Sequence, residues 1–568
     1  MAKTGSPSIS QNWLWVSAWL VRVGVLLGFV AALFHFAHPM PVWDDSLMWQ
    51  RYSHFLHDGK GLIWNLGDGP TYGLTSVSFL LITVPCHLLF HDNWYRAAEA
   101  GGIAASILLF ATIALSVFSL ARASSSYLRL VSAALLCTLF VWQHEKFWEV
   151  MASGMDTPFS LAVLLLFFWS AFKAFEAKLS GFVLAIWAPV LYLTRPELLL
   201  YAVAIGIAML ASKPTRGGAI RYGLASLVLL GLTLAGLKSY FGTPFPLAAY
   251  AKHLGYYDSS FEVIAKRFDE ATWNDFIRIY GWLAALAAIG AINAWRRKVP
   301  ERIFITALVL ASFALTYYLN NYMHQIMGLY QRFYLPTVIA YVAALALCIR
   351  SLNLPVRFQP PGNARKAIPM LGMVASSIFL VMQATGTVGA IRDHKNLQGT
   401  MDSAWLGMTG KVWPVLPEIH AVDGALRIAS TEAGLPGAWL PKTYFVDLAG
   451  LNDNDIGLHG LDGPRLLSRN LDVIYFHLFY PKMQQTITSV PGFNERYRFY
   501  RTQPDWKLNV ALKWSCPQFE KLDSILRGIE EEAVLNHGTE GQIQEFCFNE
   551  TLDEASNMFE TRDTSAPK

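Results

Sequence analysis

Charged residues are scarce in this chain of 568 residues, because Asp, Glu, Lys and Arg together make up 15% while hydrophobic residues make up 54%. Soluble globular proteins carry about 25% charged residues, so the composition excludes an ordinary soluble protein. The basic residues occur in short clusters between long apolar runs, as they do in cytoplasmic loops between membrane spans. We therefore predict a polytopic membrane protein and no nucleic-acid partner.

The sequence also lacks the nucleotide and metal motifs of common soluble enzymes. His144-Glu145 begins like a zinc protease helix, but Trp148 stands where the second histidine is needed. Gly59-Lys60-Gly61 has no third glycine at the dinucleotide spacing, and no phosphate-binding loop is present. An enzyme without a nucleotide site needs a substrate that is already activated in the membrane, and lipid-phosphate-linked sugars are such a class.

Hydropathy and the basic clusters together predict about eleven transmembrane helices of roughly 20 residues each. The predicted spans are 13–37, 97–120, 126–142, 156–172, 181–193, 197–212, 219–240, 273–295, 303–319, 333–349 and 368–388. With the basic clusters in the cytoplasm, the last span delivers the tail to the outer face. We expect a membrane domain at 1–391 and a C-terminal extracytoplasmic α/β domain at 392–568, with strands at 427–430, 443–446 and 471–476.

The first outer loop, 43–94, contains the apolar run 77–90, which is short for a span and includes Pro85. Such a run is typical of a re-entrant or interfacial segment, so we place the whole loop on the outer face. Asp44 and Asp45 then lie at the outer membrane surface, where an acidic side chain can deprotonate a hydroxyl group. Asp44 is slightly favoured as the base because it is nearer the first span.

A phosphate leaving group needs cations, and several basic side chains lie in the first loop or at outer ends of spans: Arg51, Arg195, Lys252, His253 and Arg332. Aromatic side chains in the loop can stack on sugar rings or anchor at the headgroup level: Trp43, Trp64 and Tyr72. Cys516 and Cys547 are the only two cysteines in the tail, so an oxidising compartment favours a disulfide between them, with two unrelated buried thiols as the alternative.

Short motifs along the whole chain resemble one known family. In the first loop they are Asp44-Asp45, Arg51-Tyr52, Gly59-Lys60-Gly61-Leu62-Ile63-Trp64-Asn65 and Tyr72-Gly73-Leu74-Thr75-Ser76. Later motifs are Ser153-Gly154-Met155-Asp156-Thr157-Pro158, Arg195-Pro196-Glu197, Gly242-Thr243-Pro244-Phe245-Pro246, Tyr250-Ala251-Lys252, Glu432-Ala433-Gly434 and 446–453. Together they resemble GT-C fold arabinofuranosyltransferases, which include the mycobacterial terminal β-1,2-arabinofuranosyltransferase and type IV pilin arabinofuranosyltransferases of Gram-negative bacteria.

The resemblance implies an inverting glycosyltransferase of GT-C type in the bacterial inner membrane, with its site and C-terminal domain on the periplasmic face. Its donor would be arabinofuranose on decaprenyl or undecaprenyl phosphate, and its acceptor a hydroxyl of type IV pilin or of an arabinan. The resemblance also implies a catalytic role for Asp156 and sugar or acceptor contacts for Asn65 and Glu197. We expect transfer without a metal or other cofactor, since the acidic residues supply too few oxygens for a rigid metal cage.

Several alternatives remain open at the level of the sequence. The donor sugar could be mannose, glucose or aminoarabinose on the same lipid, and a lipid-linked saccharide flippase or a sugar-binding scaffold is a non-enzyme alternative. Asp156 could be a helix cap, and Arg195-Pro196-Glu197 could be a helix start with an interfacial anchor. Lys252, His253 and Arg332 could extend to the headgroup region as structural residues.

Overall fold

The computed structural model describes residues 9–36, 42–91, 93–121, 127–141, 145–251, 259–322, 331–351, 374–378, 380–392, 412–477, 480–502 and 508–537. Its N-terminal part is helical, and a small sheet lies in the C-terminal part. The first sixteen helices are α1 Ile9–Phe36, α2 Asp44–His57, α3 Leu80–Leu89, α4 Trp94–Leu120, α5 Tyr127–Val141, α6 Glu145–Ala152, α7 Thr157–Phe175, α8 Gly181–Ala185, α9 Trp187–Thr194, α10 Leu199–Ala211, α11 Arg216–Phe241, α12 Leu247–Ala251, α13 Ser259–Arg296, α14 Arg302–Tyr322, α15 Leu335–Ser351 and α16 Val374–Arg392.

Among the described residues, seven helical segments are long and apolar enough to cross a membrane. They are Trp15–His35, Trp94–Leu120, Thr157–Phe175, Lys213–Phe241, Trp273–Arg296, Arg302–Asn321 and Val374–Arg392. The predicted spans at 181–193, 197–212 and 333–349 coincide with shorter apolar helices, and 126–142 coincides with the 15-residue helix α5. A multi-pass membrane protein is therefore supported, while the count of eleven stays a prediction.

Helix α15 lies at the centre of the membrane part. Twelve of its 17 residues are buried, which fits a helix that is apolar on every side and surrounded by other helices. It packs against α13 and α14 on one side and against α7, α4 and α5 on others. Its first residue, Leu335, follows Arg332 after a single turn of chain, so the packing of α15 also fixes where that arginine lies.

The first loop is more ordered than its polar sequence indicates. Asp44 begins helix α2, with Trp43 in extended conformation before it, and two acidic residues in the first turn suit the positive end of the helix dipole. The predicted apolar segment is a 3₁₀ turn, Val77–Phe79, followed by the ten-residue helix α3, which contains Pro85. This confirms a short apolar helix within the loop, whereas the 14-residue helix α2 was not predicted.

The C-terminal part is a five-stranded mixed sheet with strands β1 Arg427–Ser430, β2 Tyr444–Asp447, β3 Val473–Phe476, β4 Tyr497–Tyr500 and β5 Asn509–Lys513. Its helices are α17 Leu416–His420, α18 Gly434–Trp439, α19 Asn454–His459, α20 Gly463–Ser468, α21 Pro481–Thr488, α22 Phe493–Arg496 and α23 Phe519–His537. The strand order is β2-β1-β3-β5-β4, with the first three strands parallel. The three predicted strands are confirmed within one or two residues, and β4 and β5 were not predicted.

Two predictions for the tail concern residues at its margins. Cys516 is buried, and Cys547 lies outside the described residues, so the disulfide between them stays a prediction. Burial raises the pKa of the Cys516 thiol, which favours its neutral form. The boundary between residues 391 and 392 adjoins the segment 393–411, which also lies outside the described residues.

Candidate active site

Asp44 binds the C-terminal domain directly. Its Oδ2 accepts a hydrogen bond from the backbone N–H of Gly434 at 2.9 Å, and its Oδ1 accepts one from Leu435 at 2.6 Å. These are the first two residues of α18, so the carboxylate takes up N–H groups that a helix start leaves free. Burial raises the pKa of Asp44 to about 7, the Leu435 hydrogen bond opposes the rise, and the charge of Asp45 adds to it.

The contact between Asp44 and α18 requires glycine. A Cβ placed on Gly434 would lie 1.9 Å from the backbone oxygen of Asp44 and 2.6 Å from its Oδ2. No side chain larger than hydrogen fits without separating the two segments. Gly434 therefore permits the first turn of α2 and the start of α18 to touch, which explains the Glu432-Ala433-Gly434 motif in structural terms.

Asp45 is the less restrained carboxylate of the pair. Its side chain is 20% exposed, and its Oδ2 lies 3.5 Å from Nη2 of Arg332. No backbone N–H among the described residues donates to it, in contrast to Asp44. An ion pair at 3.5 Å is long for a charge-assisted hydrogen bond, so the carboxylate retains acceptor capacity for a substrate hydroxyl.

Arg332 is a buried cation with unused donors. Only 5% of the residue is exposed, and its guanidinium lies 5.5 Å from the ring centre of Trp43 and 5.0 Å from that of Phe333. Its Nε and Nη1 are buried and have no hydrogen-bond partner among the residues that the structure describes. Burial lowers the pKa of Arg332, and the charge of Asp45 opposes that effect. Buried guanidinium donors without hydrogen-bond partners are suited to bind an anion.

Asp156 and Arg195 form a buried ion pair rather than two independent site residues. Arg195 Nε donates to Asp156 Oδ2 at 3.0 Å and its Nη2 donates to Oδ1 at 2.9 Å, and the Asp156 side chain is 1% exposed. Nη1 of Arg195 lies 3.5 Å from Oε1 of Glu197. Asp156 and Glu197 therefore share the Arg195 cation as a structural partner, while catalysis by Asp156 and sugar binding by Glu197 stay predictions.

Phe333 connects this ion pair with Arg332. The guanidinium of Arg195 lies 5.6 Å from the Phe333 ring, and that of Arg332 lies 5.0 Å from the same ring. Arg195 has carboxylates on its Nε, Nη1 and Nη2 atoms, whereas Arg332 has a single long contact. Of the two arginines, Arg332 is therefore the one with charge to spare for a phosphate.

Arg51 does not bind phosphate, which corrects the prediction from sequence. The residue is fully buried, and all five of its guanidinium N–H groups have acceptors within the protein. The acceptors are the backbone oxygens of Trp64, Gly437, Leu440 and Thr443 and the Oδ1 of Asn65. Three of these oxygens belong to the C-terminal domain, so Arg51 joins the first loop to it.

Trp64 and Asn65 have the same structural role, which corrects their assignment to sugar binding. Asn65 Oδ1 accepts from the backbone N–H of Phe445 at 2.8 Å, and its Nδ2 donates to the Phe445 oxygen at 2.9 Å. Trp64 Nε1 donates to that oxygen at 3.0 Å, and the residue is 1% exposed. Phe445 lies in β2, an edge strand, so the first loop covers a sheet edge that would otherwise be free.

Tyr72 is also part of the core rather than of a sugar site. Its ring stacks on Phe241 with centres 4.6 Å apart and 16° between the planes, and the residue is 1% exposed. Its hydroxyl has no hydrogen-bond partner among the described residues. Lys252 and His253, two further predicted phosphate ligands, lie outside the described residues.

Glu432 is a site residue that the sequence prediction missed. It follows β1 and precedes α18, two positions before the glycine that contacts Asp44. Burial and the charges of Asp44, Asp45 and Asp447 raise the pKa of Glu432 well above its ordinary value. The Glu432-Ala433-Gly434 motif was a signal in the sequence, but nothing there placed it beside residues 44 and 45.

Within the described ranges no group of three or more His, Cys, Asp or Glu side chains is arranged to hold a metal ion. Metal-independent transfer remains a prediction, which only an assay tests.

No protein-family model matches this chain, and no curated protein matches it. The assignment of function therefore depends on the residues and geometry of the site.

Proposed function

We propose that this protein is a membrane glycosyltransferase that moves arabinofuranose from a polyprenyl phosphate to a hydroxyl group of an acceptor outside the cytoplasm. The observation that carries the proposal is the pairing of Asp45, a partly exposed carboxylate, with Arg332, a buried guanidinium whose Nε and Nη1 lack partners among the described residues. A base beside an anion-binding cation is what transfer from a phosphate to a hydroxyl requires.

In this mechanism Asp45 accepts the proton of the acceptor hydroxyl while the hydroxyl oxygen attacks the anomeric carbon. The bond between that carbon and the phosphate oxygen breaks, and the electron pair leaves with the polyprenyl phosphate. Arg332 neutralises the charge that develops on the leaving phosphate. Attack from the face opposite the phosphate inverts the configuration at the anomeric carbon.

Asp45 is a better candidate for the base than Asp44, which reverses the slight preference from sequence. Both oxygens of Asp44 accept backbone N–H groups of α18, so its position is set by the docking of the C-terminal domain. Asp45 has one long contact, to a cation that also faces the proposed phosphate site. Asp44 then acts as a positioning residue that fixes the first turn of α2.

Membrane placement, donor sugar and acceptor belong to the same proposal. The long apolar helices support a multi-pass membrane protein, and a lipid-linked donor would reach the site from the bilayer. The GT-C resemblance supports arabinofuranose as the sugar and a pilin or an arabinan as the acceptor. Its known members support the periplasmic face of a bacterial inner membrane.

The test is reconstitution of the purified protein with synthetic polyprenyl-phosphoryl arabinofuranose and with pilin or arabinan fragments, followed by mass spectrometry of the products. Parallel donors carrying mannose, glucose or aminoarabinose decide the sugar. We expect transfer from the arabinofuranose donor, weaker donor binding and slower transfer in Arg332→Ala, and no change in the control Arg278→Ala, whose side chain is 63% exposed.

Transport of an intact lipid-linked sugar across proteoliposomes, without any transferred product, would instead support a flippase. Absence of both transfer and transport with every donor would contradict the proposal.

A further inference from the structure

We infer that the C-terminal domain takes part in the reaction through Glu432, which binds a sugar hydroxyl and orients it against Asp45. The inference rests on the proposed glycosyltransferase function and adds to it a substrate contact from a second domain. The domain would then be part of the active site and not merely a cover over it.

The position of Glu432 in the fold is the first support. Strand β1 lies between β2 and β3, and all three are parallel, so the chain goes to one side of β1 and then to the other. The crevice at the carboxyl ends of strands at such a reversal is the usual ligand position in open α/β sheets. Glu432 lies just past the carboxyl end of β1.

The carboxyl ends of β1 and β2 face the first loop. Gly434 and Leu435, in the connection that follows β1, donate to Asp44. Asn452, after the carboxyl end of β2, accepts a hydrogen bond from the Tyr52 hydroxyl at 3.1 Å. Glu432 is therefore held between the sheet and the helix that carries Asp44 and Asp45.

The four carboxyl groups at this junction differ in the hydrogen-bond donors or cations that they contact. Asp44 has two backbone N–H donors, Asp45 has Arg332, and Asp447 accepts from Ala449 and from Asn452. The backbone N–H of Glu432 donates to the Ser430 hydroxyl. Its carboxyl group, in contrast, receives no hydrogen bond from the described residues.

Close carboxylates in a partly buried site do not all ionise together. The one without donors or a cation is the one that keeps a proton, and for Glu432 burial and three acidic neighbours act in the same direction. A protonated carboxyl group both donates and accepts a hydrogen bond, as a sugar hydroxyl does. The group is thus complementary to a sugar hydroxyl rather than to a phosphate.

A second feature of the site indicates that a ligand occupies this space. Arg332, 95% buried, contacts Asp45 from the membrane domain and leaves Nε and Nη1 without partners in the described part of the chain. A phosphate at Arg332 would place the attached sugar beside Asp45, within the region that Glu432 borders. The anionic part of the donor and its hydroxyl groups would then face different residues.

Two substitutions separate this role from others. Glu432→Gln keeps a group that donates and accepts hydrogen bonds, so we expect its turnover number to stay within about threefold of the wild type. Glu432→Ala removes the contact, and we expect KM for the sugar-bearing substrates to rise about tenfold, as the loss of one hydrogen bond to a hydroxyl predicts. The unfolding temperature of both variants is measured to detect loss of folding.

A purely structural role of Glu432 would leave the pH dependence of transfer unchanged, so the pH profile separates the two roles. Wild-type transfer should decline as rising pH removes the proton from Glu432, beside Asp44, Asp45 and Asp447, and Glu432→Gln should lack that decline. A Gln variant that loses more than a hundredfold in turnover would assign Glu432 as a base and overturn the inference.

Activity of Glu432→Ala equal to the wild type, with Asp45→Asn inactive, would overturn the inference and leave the proposed function standing. Absence of any transfer by the wild type would overturn both.

Discussion

The guanidinium of Arg51 donates a hydrogen bond to the backbone oxygen of Leu440, which is 2.8 Å away and 389 positions later in the chain. The contact joins the first loop to the C-terminal domain at a point where both are fully buried. Since Asp44 and Asn65 make further bonds across the same junction, the loop and the domain form one continuous packed unit. The candidate active site lies at the edge of that unit, so it depends on docking.

Arg51→Met should separate the loop from the domain. The backbone oxygens of Trp64, Gly437, Leu440 and Thr443 would lose the Arg51 donors, and each buried polar atom left unpaired costs about 1–3 kcal/mol. We expect a lower thermal unfolding midpoint and faster proteolytic release of the C-terminal domain. Arg278→Met, at a side chain that is 63% exposed, serves as the control. Unchanged proteolysis of the Arg51 variant would show that the docking does not depend on this residue.

Gly434→Ala should disturb the same junction from the other side. Its Cβ would lie 1.9 Å from the Asp44 backbone oxygen, and overpacking of this kind costs about 1–3 kcal/mol. We expect a lower unfolding midpoint together with reduced transfer, because α18 must move away from α2. The control is Gly231→Ala, where a new Cβ meets nothing within 4 Å. If the Gly434 variant transfers normally, the contact between α18 and Asp44 is dispensable for the reaction.

Asp45→Asn should lower the turnover number by a factor on the order of 10² to 10⁴ with little change in donor binding, as loss of a general base predicts. Asp44→Asn should lose less turnover, because its carboxylate acts through two bonds to α18. Asp58→Asn, at the residue directly after α2, is the matched control, because that side chain is 42% exposed. Donor binding is followed by photo-crosslinking and turnover by product release. The opposite ranking of the two variants would return the base to Asp44.

The raised pKa of Asp44 predicts that the stability of the protein depends on pH. Its folded-state pKa is raised to about 7, so its stabilising contribution is complete below about pH 4 and is lost as the pH rises through 7. We expect the unfolding midpoint in detergent to fall between about pH 4 and pH 7. The fall should be smaller in Asp44→Asn and should persist in part, because Glu432 and Asp447 shift in the same direction. An identical fall in the variant would contradict the assignment.

Asp156→Asn tests whether Asp156 is structural or catalytic. Loss of one partner of a buried ion pair costs about 3–5 kcal/mol, because the Arg195 cation stays buried with Glu197 alone. We expect a marked loss of stability and partial recovery in Asp156→Asn combined with Arg195→Gln, measured as a double-mutant cycle. Wild-type stability in Asp156→Asn, with turnover reduced a hundredfold, would restore the catalytic role that the sequence predicted.

The sequence could predict those features that depend on local pattern. Apolar runs predicted the long helices, and short apolar runs predicted β1, β2 and β3, because hydropathy depends only on neighbouring residues. The same reasoning found the short apolar helix with Pro85. The reasoning from sequence missed α2, because polar residues of this helix contact a domain that lies almost 400 positions later in the chain. It also missed β4 and β5.

The roles of individual polar residues were decided by tertiary structure alone. Arg51 and Arg332 both read as candidate phosphate ligands, yet one has five acceptors inside the protein and the other has two donor atoms without partners among the described residues. A side chain's chemistry is visible in the sequence, but the number of partners that satisfy it depends on which distant segments fold against it. For the same reason, it is the packing of the sheet against the first loop that places Glu432 beside Asp44 and Asp45.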